Sequence, residues 1–377
     1  MTLISGQHVM ARYVNTCGTG TPYLTGPADF PDGEILQTKF TTRPGSLCRA
    51  GDILVTVKGS GSGSLVRADA TYCISRQLMA IRPANWSGQF LYYSLQQNAA
   101  RIREASTGLI PGLSRADILD QRLPVPTARA EQEHIAATLC GVDDLIAMLE
   151  RLIVKKQAIK QGMLQQLVTG KTRLPGFDEP WSDVRLGDIG QSLIGLTYSP
   201  SSVKRSGTLV LRSSNIQDGR LTFDDNVYVD CPIPDKIRVR ENDILICVRN
   251  GSRRLIGKSV RLDSRVVGQT FGAFMSVYRS DSNQFLQYFF QSDDFKRQVD
   301  EHLGATINQI TNGSLNSFVV SLPCPREQHE VASRLTDVDN EIDALERRLA
   351  KAKSVKQGMM QQLLTGRTRL PVKESAG

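Results

Sequence analysis

The 377-residue chain lacks the features that mark membrane-spanning, secreted and metal-binding proteins. No run approaches the ~20 apolar residues that cross a bilayer. The first residues, MTLISGQHVMARYV, have no charged segment followed by an apolar core, as a signal peptide would. The seven cysteines are scattered without a C-x-x-C pair, and the four histidines are dispersed. We therefore expect a cytoplasmic protein with free thiols, no membrane contact and no metal site.

Motifs of catalysis are also missing. The string TGKT at 169–172 resembles the end of a Walker A loop, but Gln165 stands where that motif requires glycine. No methyltransferase motif of the N-P-P-[YF] type and no nuclease-like cluster of carboxylates with a lysine occurs. The acidic pair Asp143 and Asp144 is interpreted as a solvated helix face. We expect no catalytic residue and no cofactor bound by this chain.

Aromatic residues make up only 6% of the chain, which argues against binding of single-stranded nucleic acid by base stacking. Basic residues outnumber acidic ones, with 46 Lys and Arg against 38 Asp and Glu, for a net charge of +8. Such a balance favours nucleic acid as a partner. From charge alone, a basic but inert surface remains an open alternative.

One long segment occurs twice. Residues 131–175 and residues 327–371 align without a gap at a spacing of 196 residues, and about half of their positions are identical. An internal repeat has to be identified before a fold is assigned, because missing it gives the wrong fold for the whole chain. A period near 200 residues is too long for a solenoid unit, so the chain is predicted to contain two copies of a globular domain followed by a helix.

Each copy carries a heptad pattern of apolar residues. About 38 residues of helix would extend ~57 Å, and Gly170 and Gly366 are predicted to end the two helices. An isolated helix with one exposed apolar seam is not expected in water, so we expect the two helices to pack on each other as an antiparallel pair. The seam residues are Ile135, Leu139, Val142, Ile146, Leu149 and Ile153 in the first copy, and Val331, Leu335, Val338, Ile342, Leu345 and Leu349 in the second.

The resulting fold class is α+β, with two similar mixed α/β domains held apart by the helix pair. The predicted segments are 1–127 for the first domain, 128–175 for the first helical region, 176–325 for the second domain, and 326–377 for the second helical region and tail. In the first domain, EILQTKF, GDILVTVKG and CISRQLMAIRP are predicted strands, and FLYYSLQQNAARIREAS is a predicted helix.

The two domains align in sequence, although the spacing between matching residues changes along the chain. GDILVTVKG (51–59) aligns with NDILICVRN (242–250), and FLYYSL (90–95) aligns with FLQYFF (285–290). The second domain opens with WSDVRLGDIGQSLIG, and residues 181–186 have no counterpart in the first. Either the first domain lacks its first strand, or the chain begins downstream of a fuller parent.

The repeated string K-Q-G-M-x-Q-Q-L-x-T-G-[KR]-T-R-L-P, with its L-P-x-P…E-Q lead-in, resembles the conserved regions of the DNA-specificity subunits of type I restriction–modification enzymes. The resemblance covers essentially the whole chain. It implies two target recognition domains, each reading one half of a split sequence in double-stranded DNA, with helices that set the spacer. It also implies two modification subunits and restriction subunits as partners. Those partners are expected to hold S-adenosylmethionine, ATP and Mg.

The candidate DNA contacts lie in loops that follow strands. GSGSGS (59–64) would let the backbone approach phosphate, and the basic VRNGSRRLIGK (248–258) occupies the corresponding place in the second domain. Arginine pairs with guanine and asparagine with adenine, although a solvated hairpin remains the alternative. The predicted contacts are Lys58, Ser60, Ser62, Ser64, Arg67, Arg212, Asn215, Arg249, Asn250, Ser252, Arg253, Arg254 and Lys258. A coiled-coil scaffold that assembles partners without reading DNA is the competing function.

Overall fold

The computed structural model describes residues 1–59, 61–105, 112–303 and 308–371, without the side chains of Asp32 and Ala105. The chain divides into two compact units. The first comprises Met1–Glu150 and Arg347–Gly377, and the second comprises Arg151–Glu346. Each unit therefore combines one globular domain with parts of both repeated helices.

In its described residues, the first unit contains nine strands in two sheets. A four-stranded antiparallel sheet has the order β1-β9-β6-β7, and a five-stranded sheet has the order β2-β4-β3-β8-β5 with β3 and β8 parallel. The strands are β1 Thr2–Ser5, β2 Val14–Asn15, β3 Thr21–Leu24, β4 Phe40–Thr41, β5 Leu47–Cys48, β6 Ile53–Thr56, β7 Leu65–Arg67, β8 Tyr72–Ile74 and β9 Leu78–Arg82. The helices are α1 Gly88–Gln97, α2 Ala99–Ala105, α3 Arg115–Leu119 and α4 Arg129–Leu167.

The four-stranded sheet lies between two apolar layers. Ile53 and Val55 of β6 pack against residues of α1, α2 and α3, whereas Leu54 packs against the five-stranded sheet. Side chains alternate between the faces of a strand, so covering both faces requires an uninterrupted apolar run. This is why GDILVTVKG is the clearest strand signal of the first domain.

The second unit contains the remaining elements. Its sheets have the orders β10-β21, β11-β20-β17-β18, β12-β16-β13-β19 and β14-β15. The strands are β10 Ser182–Arg185, β11 Gln191–Ile194, β12 Val203–Lys204, β13 Thr208–Leu211, β14 Ile216–Gln217, β15 Arg220–Leu221, β16 Tyr228–Val229, β17 Ile244–Cys247, β18 Ser259–Arg261, β19 Thr270–Phe271, β20 Met275–Arg279 and β21 Val319–Leu322. The helices are α5 Leu186–Ile189, α6 Asn283–Phe289, α7 Asp293–His302, α8 Asn312–Ser317 and α9 Pro325–Leu363.

The two domains share one scaffold. The order β11-β20-β17-β18 repeats β1-β9-β6-β7, and the parallel pair β13 and β19 repeats β3 and β8. A buried carboxylate pairs with an arginine at the same place in each, Asp52 with Arg82 at 2.7 Å and Asp243 with Arg279 at 2.6 Å. Among the described residues, the first domain has no counterpart of the β10–β21 ribbon.

The repeated helices run antiparallel within each unit. In the first unit, Ile135 and Leu139 of α4 form a buried cluster with Met360, Leu363 and Leu364 of α9. Asp143 of α4 pairs with Lys356 of α9, and Glu150 pairs with Lys353. Residue numbers therefore rise along α4 in the direction in which they fall along α9.

The same register holds in the second unit, where Leu164 and Leu167 of α4 join a cluster with Val331 and Leu335 of α9. Of the twelve seam residues, eight are buried and four are half-buried, namely Val142, Ile146, Val338 and Leu349. The predicted α+β class, with two similar mixed domains and a pair of long antiparallel helices, is confirmed.

Two polar contacts fix each domain on its helices. The Tyr93 hydroxyl donates to Asp143 at 2.7 Å, and Tyr288 donates to Asp339 at 3.0 Å. Since Asp143 also pairs with Lys356, its interpretation as a solvated residue is wrong, although Asp144 is exposed.

The second contact is a buried glutamate at the start of each helix. Glu327 accepts two hydrogen bonds of 2.7 Å from Arg173 and one of 3.1 Å from the indole of Trp181. Glu131 accepts from Arg369, whose guanidinium lowers the pKa of that carboxyl.

Three local predictions need correction. EILQTKF contributes only Phe40 to a strand, because a 3-10 turn at Pro31–Gly33 leads into irregular backbone. CISRQLMAIRP forms two strands, β8 and β9, rather than one. The predicted single helix is broken at Asn98, whose amide donates to the Ser94 carbonyl at 2.9 Å and ends α1. Residue 106 of that prediction lies outside the described residues.

Candidate nucleic-acid interface

The loop after β17 carries most of the predicted contacts of the second domain. The backbone N–H groups of Val248 and Arg249 both donate to the Phe274 carbonyl at 3.1 Å, and Arg249 forms a β-bridge with Gln309. The Arg249 side chain is exposed, with its guanidinium 5.0 Å from the centre of the Phe274 ring. The backbone of Arg249 is therefore fixed while its charge faces solvent.

The next residues tie the loop to neighbouring segments. The Asn250 amide donates to the Ser213 hydroxyl at 3.3 Å, and its oxygen accepts from the Ser252 N–H at 3.0 Å. The Asn308 amide donates to the Gly251 carbonyl at 3.1 Å. These contacts hold the loop in one conformation, which favours specific recognition because little ordering remains to be done on binding.

Five chain segments meet at this end of the second domain. Backbone hydrogen bonds join Leu196 to Phe271, Gly272 to Leu211 and Ala273 to Leu196. We call the surface they form the loop face; its segments are 195–198, 212–214, 248–252, 272–274 and 308–309.

Two predicted DNA contacts precede β14, Arg212 and Asn215, and they differ in burial. Asn215 is fully buried, and its oxygen accepts from the Arg212 N–H at 2.9 Å while its amide donates to the Thr222 carbonyl at 3.1 Å. Its prediction as a DNA contact is wrong, because its polar groups are used inside the turn. Arg212 is half-buried on the loop face and pairs with Asp225 at 2.8 Å.

The other basic residues of the hairpin are dispersed. Arg253 is tied to α7 by a hydrogen bond of 3.1 Å to the Asp300 carbonyl and an ion pair of 3.7 Å. Arg254 is exposed. Lys258 lines a groove of about 770 Å³ beside Asp339 of α9. The structure therefore brings Arg249, but not Lys258, to the loop face.

The first domain repeats the frame of this loop. Lys58 forms a β-bridge with Gly112, and the Val57 N–H donates to the Gln77 carbonyl at 2.8 Å, as Val248 does to Phe274. Lys58 is exposed, so it presents a positive charge at the place that Arg249 occupies in the second domain.

The serines of GSGSGS are less available than predicted. Ser62 is buried with 6% of its surface exposed, and Ser64 is half-buried. Ser60 lies outside the described residues. Arg67 is exposed at the far end of β7, where it pairs with Ile53.

Sequence reasoning missed the aromatic part of the loop face. Phe274 is 57% exposed, and Tyr198 lines the same depression. The duplicated frame could have found this position, since the counterpart of Phe274 in the first domain is the exposed Gln77. The two domains therefore carry different exposed side chains on matching turns.

Within the four described ranges, no three His, Cys, Asp or Glu side chains lie together as metal ligands. The helices in those ranges include none long and apolar enough to span a bilayer.

Comparison with known proteins finds similarity to DNA-specificity proteins. The family described as the type I restriction modification DNA specificity domain matches residues 178–354. The MjaVIII specificity subunit of Methanocaldococcus jannaschii is 23% identical over 342 residues, which cover 85% of this chain and 77% of the relative. The putative MjaX specificity subunit of that organism is 26% identical over 272 residues, 68% of this chain and 62% of the relative.

The EcoKI specificity subunit of Escherichia coli K12 is 24% identical over 197 residues, which cover 50% of this chain. This chain spans only 42% of that relative's length. The fold is shared with the S subunit of a type I restriction–modification system from M. genitalium, with a TM-score of 0.63 at 16% identity. That likeness covers 96% of this chain and 93% of the other.

Proposed function

Because the chain belongs to the DNA-specificity subunits of type I restriction–modification enzymes, we propose that it reads a bipartite target in double-stranded DNA. Each globular domain would contact one half-site through the loops at the end of its central sheet. The observation that carries this proposal is the repeated placement of a cation: Lys58 and Arg249 occupy the same bridged position in the two domains.

The chemistry of these loops suits duplex DNA. Arginine contacts guanine through O6 and N7 in the major groove, and asparagine contacts adenine. Lys58, Arg212 and Arg249 would supply such contacts or neutralise phosphates. Ser64, Asn250, Ser252 and Arg254 are further candidates. The net charge of +8 favours association with DNA and makes it sensitive to salt.

The repeated helices would set the spacer between half-sites. Each spans 39 residues, or ~58 Å at 1.5 Å per residue. A chain with an internal repeat suits two half-sites about one helical turn of DNA apart. In this proposal the two domains bind their half-sites independently, and the helices determine which spacing allows both to bind at once.

The chain's own role is recognition, and the chemistry would belong to partners. We propose two modification subunits and restriction subunits as those partners, holding S-adenosylmethionine, ATP and Mg. Helix α4 leaves apolar side chains in solvent at helical spacing: Leu145 and Met148 in the first unit, and Leu152 and Ile159 in the second. Exposed apolar residues repeated along one helix favour docking of partner helices.

The test is to co-express the chain with its modification subunits and map methylated bases in exposed DNA. Methylation of one split sequence, with duplex affinity that falls steeply between 50 and 200 mM salt, is the expected result. Equal affinity for all sequences at every salt concentration would instead indicate a scaffold that gathers subunits without reading DNA.

A further inference from the structure

A pocket of about 400 Å³ opens beside the Arg249 loop in the second domain. Its residues come from three segments of the loop face, from the adjoining Met275 and from the turn at Asp225. They include Arg212, Ser213, Ser214, Asp225 and Phe274. Two of them contact the loop directly, because Phe274 lies under the Arg249 guanidinium and Ser213 accepts from the Asn250 amide.

The pocket combines an apolar wall with unused hydrogen-bonding groups. Phe274 is 57% exposed even though its carbonyl is fixed by two backbone N–H donors. Nε of Arg212 and Oγ of Ser214 are buried without a hydrogen-bond partner. Unpaired buried polar atoms are uncommon in folded proteins, so these two atoms are hydrogen-bonding groups that the protein itself leaves unused beside the pocket.

The charge of the pocket selects a base edge over a phosphate. The Asp225 carboxylate is 66% exposed at the rim and repels phosphate oxygens. Its ion pair with Arg212 is partly exposed, and such pairs contribute little, so the guanidinium is able to turn toward a ligand. Among the four bases, thymine alone presents a methyl group beside an acceptor, O4, on the major-groove edge.

We propose that this pocket takes the major-groove edge of one thymine, with the C5-methyl on Phe274 and O4 toward Arg212. Phe274 is then a specificity-determining residue of the second half-site. The described part of the first domain has no equivalent, because Gln77 stands at that position and lies over Gly26, the counterpart of Arg212. This difference between the two domains would give the two half-sites different sequences, although the domains share one scaffold.

This inference rests on the proposed function. Its test uses the full chain assembled with modification subunits and the duplex target found by methylation mapping. Each thymine in either strand of the second half-site is replaced in turn by deoxyuridine, which removes only the methyl group. One position should bind about fourfold more weakly, the effect of burying one methyl-sized group.

The variant Phe274→Ala should bind the thymine and deoxyuridine duplexes equally at that position. Phe274→Gln, which installs the residue of the first domain, should also lose the discrimination, whereas Phe274→Leu should keep part of it and so controls for folding. Val319→Ala alters a similarly exposed residue, on β21, and should leave discrimination unchanged.

Discrimination at no position, or discrimination that survives in Phe274→Ala, overturns the thymine pocket while bipartite recognition stands. Failure of the unmodified complex to prefer any sequence would instead reject the proposed function itself.

Discussion

At the scale of single residues, the repeat shows how context changes one interaction. Glu327 and Glu131 are both buried, and each pairs with an arginine that follows the other copy of the helix. Arg173 is 27% exposed and is covered by Trp181, whereas Arg369 is 70% exposed. Water screens exposed ion pairs, so the covered pair should contribute more to stability.

We therefore predict that Arg173→Ala destabilises the second unit by about 1.5–3 kcal/mol, the range for hydrogen bonds to charged groups. The chain has two tryptophans, so Trp86→Phe leaves Trp181 as a reporter of this unit. Urea unfolding followed by Trp181 fluorescence measures the change. Arg369→Ala in the same background is the matched control and should leave the urea midpoint of the Trp181 fluorescence transition unchanged. An unaltered midpoint for Arg173→Ala would contradict this assignment.

At the scale of elements, the hairpin β17–β18 separates cations that look equivalent in sequence. Arg249 projects from the loop face, Arg253 is bonded to Asp300 of α7, and Lys258 lies in a groove beside Asp339. The environment of each of these cations is determined by contacts with segments that are distant in the sequence. A run of basic residues therefore overstates the number that can reach one DNA site.

We predict that Arg249→Ala weakens binding of the specific duplex by about 1–3 kcal/mol, the value of one bidentate base contact. Methylation should fall at one half-site of the mapped target, with the other half-site unaffected when presented alone. Arg253→Ala is the control within the same loop and should have a smaller effect, because Asp300 already engages that side chain. Equal losses at both half-sites would contradict one-domain, one-half-site recognition.

The elements also show what sequence patterns could and could not predict. The long helices and the central strands follow from uninterrupted heptads and from the apolar run of β6, which depend on local composition. Asp143 was misjudged for the opposite reason, because its partners Tyr93 and Lys356 are set by tertiary packing. Asn215 was misjudged because its side chain is used within its own turn, by the Arg212 N–H and the Thr222 carbonyl. Phe274 was missed because an exposed aromatic has no periodic signature.

At the scale of the whole molecule, duplication supplies a repeated frame and divergence supplies two different surfaces. The central sheets, the buried Asp–Arg pairs and the Tyr–Asp contacts recur, whereas Gln77 and Gly26 replace Phe274 and Arg212 on the loops. Stability is thus carried by positions that both copies share. In the proposed function, changes in these loops alter the target sequence without disturbing the scaffold.

The spacer proposal leads to a prediction about helix length. Four residues inserted after Leu149, together with four after its repeat counterpart Leu345, lengthen both helices by ~6 Å and restore their antiparallel pairing. Both insertion points lie in the buried seam, so the inserted segments must continue its apolar pattern. At 3.4 Å per base pair, the preferred spacer should grow by about two base pairs. Methylation mapping of the assembled complex measures it. An insertion in α4 alone is the control, since it shifts one seam against the other and should reduce assembly rather than reset the spacer. If the doubly lengthened protein still methylated only the original spacing, the helices would not be what sets the distance between half-sites.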